Sequence, residues 1–466
     1  MLALSMEDKG LRHCRRLPSG AFLLAIAAAA FFLSSCGQKP AASTPAQADA
    51  PVDIRVAFWG GPEEIELVHQ TIADWQAAHP NIHVILEHTP GGSAYTSKLL
   101  TRIASGTAPD IMFAEVTLFV PFWAKGALLD LTPFVESDPE FNLKEFFPEV
   151  VGRFTDDGKV YCIPRDTAPF ACVYYNKNLF NEGGIPYPID EWTWADLLDK
   201  AQNLTHTENG HITQYGFFTW AWENFIYSSG GNLVDDVETP TRLTLDSPES
   251  VRGLEFFSDL IHKYKVAPTP MAMGNLGMGA QQLFMTGRVA MYASGVWETP
   301  ILRKIKDFDW DIVLFPKGPT GIRRFGTGGS GYCVLSGTHH PREAWEVVKA
   351  LSGDRGQELL AQAGLAQPAK RTIADGPAWA GDPNPPAHKG ILNEAVAHTV
   401  YEPFHPRWRE IRELYISPAF DLILSGQEPV QKVVSDLVPV VNKIFAEPVG
   451  DVVASRHFAQ KEKATP

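Results

Sequence analysis

Short apolar segments alternate with amphipathic segments in the region that follows the first fifty residues. A strand is predicted at 53–58 (DIRVAF) and an amphipathic helix at 63–78. Apolar side chains recur along that helix at helical spacing: Ile65, Val68, Ile72 and Trp75. The alternation continues with a strand at 81–86, a helix at 95–105 and a strand at 111–113. This order predicts an α/β fold whose mostly parallel sheet carries helices on both faces.

The rest of the chain shows no internal repeat and a more mixed pattern. Strands at 160–163 and 172–175 flank a predicted loop at 164–170, and 216–235 is predicted to be an aromatic, glycine-rich loop. From residue 391 onward the pattern is helical, with breaks at prolines. The other predicted elements are short helices or turns at 119–125, 130–136 and 143–147, helices at 194–202, 248–263, 279–285, 342–351 and 357–362, and strands at 289–292, 312–315 and 332–335.

The first 51 residues are predicted to be an export signal and a tether. Basic residues at 9–16 precede an uncharged run at 21–33, which is shorter than the roughly twenty residues that a membrane span needs. Leu33-Ser34-Ser35-Cys36 then resembles a bacterial lipobox, so Cys36 is the predicted lipidation site and 1–35 the signal peptide. Residues 36–51, rich in Ala, Pro, Ser and Gln, predict a flexible tether. An uncleaved anchor helix is the alternative.

Composition and charge exclude several classes of protein. The chain has 466 residues, which is too many for one ordinary core and indicates two lobes or domains. Its net charge of -14 becomes -16 when 1–35 is removed, and no basic stripe is present, which argues against nucleic acid as a partner. The spacing of the cysteines fits neither a zinc site nor a disulfide-rich scaffold: 14, 36, 162, 172 and 333. No metal and no cofactor are expected.

Six short motifs occur in an order that is familiar from one protein family. They are Phe58-Trp59 before a helix, residues 104–111 (ASGTAPDI), 161–164 (YCIP) leading to 174–180 (YYNKNLF), 287–291 (GRVAM) leading to 295–297 (GVW), 328–331 (GGSG), and 367–371 (QPAKR). Through these motifs, over about residues 52–450, the chain resembles the extracellular solute-binding proteins of bacterial ABC importers, family 1. One departure is Cys162, where the family more often has glycine.

The resemblance implies a fold, a function and partners. It implies a type II-like periplasmic-binding-protein fold with two α/β lobes, 52–166 with 332–367 and 168–330 with 368–455, joined by hinge crossovers near 164–170, 328–332 and 366–371. It implies a monomer that is not an enzyme. Such a protein captures a mono- or oligosaccharide between the lobes outside the cytoplasm and delivers it to the ABC permease subunits in the membrane. Its only attachment to the membrane is the lipid.

Two kinds of side chain are candidates for sugar contacts. Trp59, Trp222 and Trp297 lie among turn residues, and an indole packs against the C–H face of a sugar ring. Carboxylates accept hydroxyl hydrogen bonds, and the candidates near the expected cleft are Glu64, Glu115, Asp166 and Glu223. Core packing is the alternative for each tryptophan, and a solvated surface for each acid.

Four further candidates lie in the crossovers or, in the case of Gly295, shortly before Trp297. The resemblance implies a ligand contact for Arg371, for which an ion pair between the lobes is the alternative. Gly295, Gly329 and Ser330 are candidates to present backbone groups, since glycine lets the backbone approach a ligand closely.

Several rival interpretations remain open from the sequence. The G-x-G-x-x-G at 326–331 precedes a strand and not a helix, so it is not a dinucleotide site. Cys162 and Cys172, on strands that neighbour each other in the chain, are free or form a disulfide. The same fold can bind a glycerol phosphate ester, a polyamine or a metal chelate. Glu223 and Asp166 can be imagined as the carboxylate pair of a lipid-anchored glycoside hydrolase, and docking to a chemoreceptor can accompany transport.

Overall fold

Strands and helices alternate through most of residues 51–448, the part of the chain that the computed structural model describes. The predicted signal peptide, the predicted lipidation site Cys36 and the predicted tether up to residue 50 lie outside it. In chain order the strands of this part are β1 (Val52–Trp59), β2 (Ile82–Thr89), β3 (Ile111–Glu115), β4 (Thr155–Asp156), β5 (Lys159–Val160), β6 (Ile163–Thr167), β7 (Cys172–Asn176), β8 (His206–Glu208), β9 (His211–Thr219), β10 (Val289–Ser294), β11 (Trp310–Leu314), β12 (Phe325–Thr327), β13 (Ser330–Val334), β14 (Gln367–Pro368) and β15 (Thr399–Tyr401).

Nineteen α-helices lie between or after these strands within the described residues. They are α1 (Pro62–Gln76), α2 (Gly92–Ala104), α3 (Val116–Ala124), α4 (Thr132–Ser137), α5 (Pro148–Arg153), α6 (Lys177–Glu182), α7 (Trp194–Asn203), α8 (Glu223–Ser228), α9 (Pro248–His262), α10 (Pro270–Leu276), α11 (Ala280–Met285), α12 (Thr299–Leu302), α13 (Pro341–Ser352), α14 (Asp354–Ala363), α15 (Arg371–Ala374), α16 (Leu392–Ala395), α17 (Trp408–Ile411), α18 (Ser417–Leu424) and α19 (Val430–Ala446). Five residues of π-helix, Arg412–Ile416, join α17 to α18.

The first sheet has six strands in the order β14-β6-β13-β3-β1-β2. β1 pairs in parallel with β2 and β3, whereas β13 pairs antiparallel with both β3 and β6. Its central strands are apolar on both faces, as expected for a sheet covered by helices on each side. Helices α1, α13 and α14 pack together against this sheet.

The second sheet has five strands in the order β11-β7-β10-β9-β8. β9 and β10 run parallel, so both end on the same edge, at Thr219 and Ser294. The C-terminal helix α19 packs against α9 on this side of the molecule. A separate apolar cluster forms where α8 and α9 meet the C-terminal helices, and it includes Ile226, Leu254, Trp408, Leu437 and Val441.

The chain passes between the two sheets at three places. Residues 168–171 link β6 of the first sheet to β7 of the second, and 328–329 link β12 to β13. After β14 the chain leaves the first sheet and continues into the C-terminal helices. β12 itself pairs with β15 in a small parallel sheet, which ties the second of these passages to the C-terminal part of the chain.

Three predictions from the pattern were wrong. The first sheet is mixed and not mostly parallel, because β6, β13 and β14 add antiparallel pairs to the parallel β1-β2-β3 core. Most of the predicted loop at 164–170 is strand β6, whose polar residues are buried against β13 and β14. Likewise β9 continues to Thr219 and α8 occupies Glu223–Ser228, inside the predicted loop at 216–235. In the last two cases tertiary burial outweighs a polar or glycine-rich local sequence.

The cysteines do not form the disulfide that was one of the two alternatives for Cys162 and Cys172. Cys162, Cys172 and Cys333 are all free and buried. Cys172 belongs to β7 of the second sheet, whereas Cys162 immediately precedes β6 of the first, so they are not on adjacent strands. The thiol of Cys162 instead lies near that of Cys333, and burial raises its pKa. The disulfide between Cys162 and Cys172 is therefore absent from this structure.

Candidate functional site

A cavity of about 520 Å³ lies between the two sheets, where the strand ends of each face the other. From the first sheet, Trp59 and Glu115 stand at the carboxyl ends of β1 and β3. From the second, Trp220 follows β9 directly and Trp297 follows β10 by three residues. The crossing segment at 328–330 closes one side. The edge where parallel strands end is the usual position of a ligand site in an α/β fold.

Three aromatic rings form the wall on the side of the second sheet. The ring centroids of Phe170 and Trp220 are 5.0 Å apart, and those of Phe170 and Trp297 are 5.8 Å apart. Trp220 and Trp297 are separated by 6.1 Å and tilted by 34°. All three side chains are half-buried, so each packs against its neighbours and keeps part of its surface open to the cavity. We call Phe170, Trp220 and Trp297 the aromatic wall.

The opposite side combines two further rings with a buried ion-pair network. Trp59 and Phe113 lie with ring centroids 6.1 Å apart. The guanidinium carbon of Arg165 sits 4.4 Å from the centroid of the Phe113 ring. Arg165 forms ion pairs with Glu64 and with Asp166, and the side chains of all three are less than a tenth exposed. The charged side chains on this side of the cavity therefore already pair with one another.

The charges of that network are largely satisfied without a ligand. Arg165 Nε donates to Asp166 Oδ2 at 2.9 Å, and the backbone N–H of Ser330 donates to Asp166 Oδ1 at 3.0 Å. The Ser330 hydroxyl also donates to Asp166. Desolvation by burial raises the pKa of Glu64, although Arg165 opposes that shift. Burial alone would lower the pKa of Arg165, but the two carboxylates outweigh it and raise that pKa, so the guanidinium stays charged.

Glu115 is the more accessible acid at the end of β3. Its side chain is 39% exposed and lies 3.6 Å from Arg409. The Thr117 hydroxyl donates to Glu115 Oε1 at 2.9 Å. Desolvation by the surrounding walls raises the pKa of its carboxyl, while Thr117 and Arg409 lower it. Glu115 thus keeps free acceptor positions at the edge of the cavity.

Glu298 is a largely buried carboxylate that lines the cavity beside the aromatic wall. The Tyr292 hydroxyl donates to its Oε1 at 2.9 Å and the Ser294 hydroxyl at 3.1 Å. The amide of Gln281, which also lines the cavity, donates to its Oε2 at 2.5 Å. Trp220 Nε1 donates to the same Ser294 hydroxyl at 3.0 Å, which connects the wall to the carboxylate. Within residues 51–448, Glu298 has no Lys or Arg partner.

The structure brings most of the sequence-predicted residues to this cavity. Seven of them line it: Trp59, Glu64, Glu115, Asp166, Trp297, Gly329 and Ser330. Whether each of these contacts a ligand stays a prediction. Glu64 and Asp166 form ion pairs with Arg165, so their first role is to stabilise the side of the cavity opposite the aromatic wall.

The other four predicted residues do not line the cavity. Trp222 packs on Phe420 with ring centroids 4.0 Å apart, beside a separate apolar pocket of about 280 Å³. Glu223 is buried and pairs with Arg412. Arg371 lies over the Phe147 ring at 5.1 Å. Gly295 has an indirect role, because a Cβ there would lie 1.9 Å from the Trp297 ring.

Sequence reasoning missed several lining residues. Phe113, Phe170 and Trp220 all line the cavity, as do Gln281 and Glu298. Trp220 was overlooked because β9 was not predicted to reach Thr219, which makes Trp220 and not Trp222 the first residue past the strand end. The sequence signal for Glu298 is its position directly after the predicted Trp297.

Comparison with known protein families agrees with this arrangement. Residues 61–358 match the family described as bacterial extracellular solute-binding protein. The chain belongs to this family. The resemblance inferred from the six motifs is thereby confirmed, and with it a family whose members are binding proteins that work outside the cytoplasm.

Curated relatives of this solute-binding protein carry carbohydrate names. An arabinooligosaccharide-binding protein of Halalkalibacterium halodurans is 24% identical over 292 residues, which is 61% of this chain and 64% of the relative. A maltotriose-binding protein of Pyrococcus abyssi is 24% identical over 309 residues, or 63% of this chain and 62% of the relative. The match thus covers somewhat less than two thirds of the length of either relative.

Solved structures of the same type align over almost their whole length. The ABC substrate-binding protein Lmo0181 of Listeria monocytogenes, in complex with cycloalternan, superposes with a TM-score of 0.77 at 23% identity, covering 85% of this chain and 99% of that one. Maltose-bound MalE3 of T. maritima gives 0.73 at 21% identity, covering 84% and 100%. These likenesses confirm the two-lobe α/β fold.

The comparisons and the structure also bear on location. The family is extracellular, which agrees with the predicted position outside the cytoplasm. Among the described helices of this solute-binding protein, none combines the length and the apolar character needed to cross a bilayer.

Proposed function

We propose that this protein captures a mono- or oligosaccharide in the cavity between its sheets and delivers it to the permease subunits of an ABC transporter. The observation that carries the proposal is the combination of an aromatic wall with hydrogen-bonding groups at the facing strand ends. Aromatic faces bind the C–H surface of a sugar ring, and carboxylates, amides and backbone groups bind its hydroxyls. The carbohydrate names of the relatives support the same ligand class.

The proposed lobes follow the two sheets. Lobe 1 comprises 52–166 and 332–367, and lobe 2 comprises 168–330 and 368–455, of which the last residues lie beyond those described. At the cavity edge, Lys304 and Glu63 form an ion pair of 3.0 Å between the α12 side and α1. Lys304 is 64% exposed, so this pair contributes little stability by itself. The ligand supplies the remaining free energy of closure by contacting both lobes.

The body is proposed to act as a lipid-anchored monomer without catalytic activity. Asp166, one acid of the imagined hydrolytic pair, supports the absence of catalysis, because it is buried and held in an ion pair by Arg165. Glu223, the other acid of the imagined hydrolytic pair, lies outside the cavity and pairs with Arg412. The bound sugar therefore leaves chemically unchanged.

Isothermal titration calorimetry against a panel of solutes tests the proposal. The panel contains maltose, maltotriose, arabino-oligosaccharides and mannobiose, together with glycerol phosphate and spermidine as non-sugar solutes. We expect at least one saccharide to bind in the micromolar range or tighter, about -8 kcal/mol, and to be recovered intact by chromatography. Binding of glycerol phosphate or spermidine but of no saccharide would contradict the ligand class, and release of shorter sugars would contradict the absence of catalysis.

Gly295 provides a prediction about the aromatic wall. In Gly295→Ala the new Cβ would lie 1.9 Å from the Trp297 ring, so the indole must move. We expect the affinity for the bound saccharide to fall about tenfold, which corresponds to roughly 1.4 kcal/mol. Gly152→Ala is the matched control, because a Cβ at Gly152 meets no atom within 4 Å. Calorimetry with the saccharide that binds most tightly measures both variants, and equal affinities would show that the indole position is unimportant.

A further inference from the structure

The charges around the cavity are strongly unequal. Five carboxylates line it: Glu63, Glu64, Glu115, Asp166 and Glu298. Arg165 is the one lining cation among the described residues. Two further cations pair with lining acids, Lys304 with Glu63 at the cavity edge and Arg409 with Glu115, and the negative charges still outnumber the positive ones.

Arg165 does not offset this excess for a ligand. Its guanidinium lies over the Phe113 ring, and each of its three nitrogens already has a carboxylate partner in Glu64 or Asp166. Arg371, the other arginine considered from the sequence, lies outside the cavity. An anionic ligand such as a sugar phosphate or a uronate would therefore meet repulsion without a free cation to bind it.

Glu298 is the acid whose negative charge no cation balances. Its side chain is buried, with the whole residue 8% exposed, and its three hydrogen bonds come from the neutral groups of Tyr292, Ser294 and Gln281. A carboxylate has about four acceptor positions, so one remains. A buried carboxylate without a countercharge is costly unless a ligand supplies that charge.

The aromatic wall stands beside this carboxylate. Trp220 is linked to Glu298 through the Ser294 hydroxyl, and Trp297 precedes Glu298 in the chain. Electron-rich ring faces attract cations, and indole does so most strongly. Several rings together with one uncompensated carboxylate form the chemistry that recognises a protonated amine.

We propose that Glu298 makes the cavity selective for saccharides that carry a protonated amine, with neutral sugars binding less tightly and acidic sugars least. This inference rests on the proposed saccharide function and specifies its ligand class. The ring C–H face of the amino sugar packs on the aromatic wall, and its ammonium group takes the remaining acceptor position of Glu298. Spermidine, which has amines but no ring, lacks the first contact and binds more weakly than the amino sugar.

Four oligosaccharide series test the inference, each two to four units long and β-1,4-linked: glucosamine, N-acetylglucosamine, glucose and glucuronate. Acetylation removes the charge but adds an acetyl group, so the glucose series, which has a hydroxyl in place of the ammonium group, provides the uncharged comparison of similar size. Calorimetry near neutral pH should give the glucosamine series an affinity about tenfold or more above the N-acetylated one, or roughly 1.4 kcal/mol. The glucuronate series should bind most weakly.

Glu298→Gln assigns the preference to one side chain. It keeps the shape and removes the charge, so we expect the preference for glucosamine over N-acetylglucosamine to fall at least about fivefold, with a smaller loss for the neutral series. Glu346→Gln is the control, because the Glu346 side chain is 40% exposed on the outer face of α13 and does not line the cavity. An equal loss for both series would show that Glu298 has only a structural role and would overturn the inference.

The wild-type comparison decides the matter even where Glu298→Gln does not fold. Equal or tighter binding of the neutral or glucuronate series overturns the amine preference and leaves the saccharide function standing. Failure of every saccharide in this and the preceding panel overturns both proposals. Spermidine binding more tightly than any saccharide has the same effect, and it would indicate a polyamine-binding protein.

Discussion

Replacing Trp297 by alanine is expected to lower the affinity for the bound saccharide by about 30-fold or more, or at least roughly 2 kcal/mol. Trp297 contributes ring surface to the cavity and also braces Phe170, at a ring separation of 5.8 Å, and Trp220, at 6.1 Å. The substitution therefore removes one stacking surface and loosens the two that remain. Calorimetry and the quenching of tryptophan fluorescence by the ligand measure the loss.

Trp75→Ala is the matched control for this substitution. Trp75 is also half-buried, but it lies on α1 and does not line the cavity. Its ring stacks on that of His79 at a centroid distance of 4.0 Å. We expect its loss to affect the free energy of unfolding and to leave the affinity within about threefold of the wild type. If Trp297→Ala bound as tightly as Trp75→Ala, the aromatic wall would not be the sugar surface.

Replacing Arg165 by methionine is expected to lower the free energy of unfolding by about 3–5 kcal/mol. Arg165 is the shared partner of Glu64 and Asp166, and all three side chains are buried. Methionine fills part of the volume but leaves two carboxylates without their cation, and two negative charges then lie close together in a low-dielectric site. Chemical denaturation followed by circular dichroism measures the change.

The pH dependence of this variant identifies the cause. Burial already raises the pKa of Glu64 above its ordinary value, and Arg165 is the main opposing influence. Without Arg165 that pKa rises further, so the penalty is full at high pH and is relieved as pH falls through the raised folded pKa towards the unfolded value near 4.3. The stability difference from the wild type should therefore be smaller near pH 5 than near pH 8.

Arg355→Met provides the control for the loss of an arginine. Arg355 pairs with Asp74 at 2.8 Å, but the two side chains are 51% and 44% exposed. An exposed ion pair contributes about 1 kcal/mol or less, so this variant should stay close to the wild type at every pH. A loss from Arg165→Met no greater than that from Arg355→Met would mean that the buried network does not hold the cavity wall.

Part of the fold was predictable because its determinants are local patterns of apolar residues along the chain. Periodicity alone indicates β1, α1 and β2, and β1 and β2 pair in parallel as expected. The antiparallel additions were not predictable in this way, since β13 reaches β3 and β6 only through contacts more than 160 residues apart in sequence. Segment 164–167 illustrates the reason: its Pro-Arg-Asp-Thr sequence has the composition of a loop, and the buried partners Glu64 and Ser330 make it a strand.

The candidate site was predictable only in part. Trp59, Glu115 and Trp297 were found because they follow apolar strands at turns, and strand ends are where an α/β fold places its ligands. Trp222 satisfied a similar criterion and Arg371 was implied by the family resemblance, yet one packs on Phe420 and the other on Phe147. Trp220 lines the cavity and Trp222, two residues later, does not. The sequence alone does not locate the end of β9 closely enough to distinguish the two.

A crystal structure of the protein with the oligosaccharide that binds most tightly in calorimetry tests the saccharide site most directly. We expect density for the sugar between the two sheets, with a ring lying on Trp297 or Trp220 and a hydroxyl or amine within about 3 Å of a cavity carboxylate. Sugar density in the apolar pocket beside Trp222 and Phe420, or on the outer surface with the cavity left unaltered, would contradict saccharide capture between the sheets.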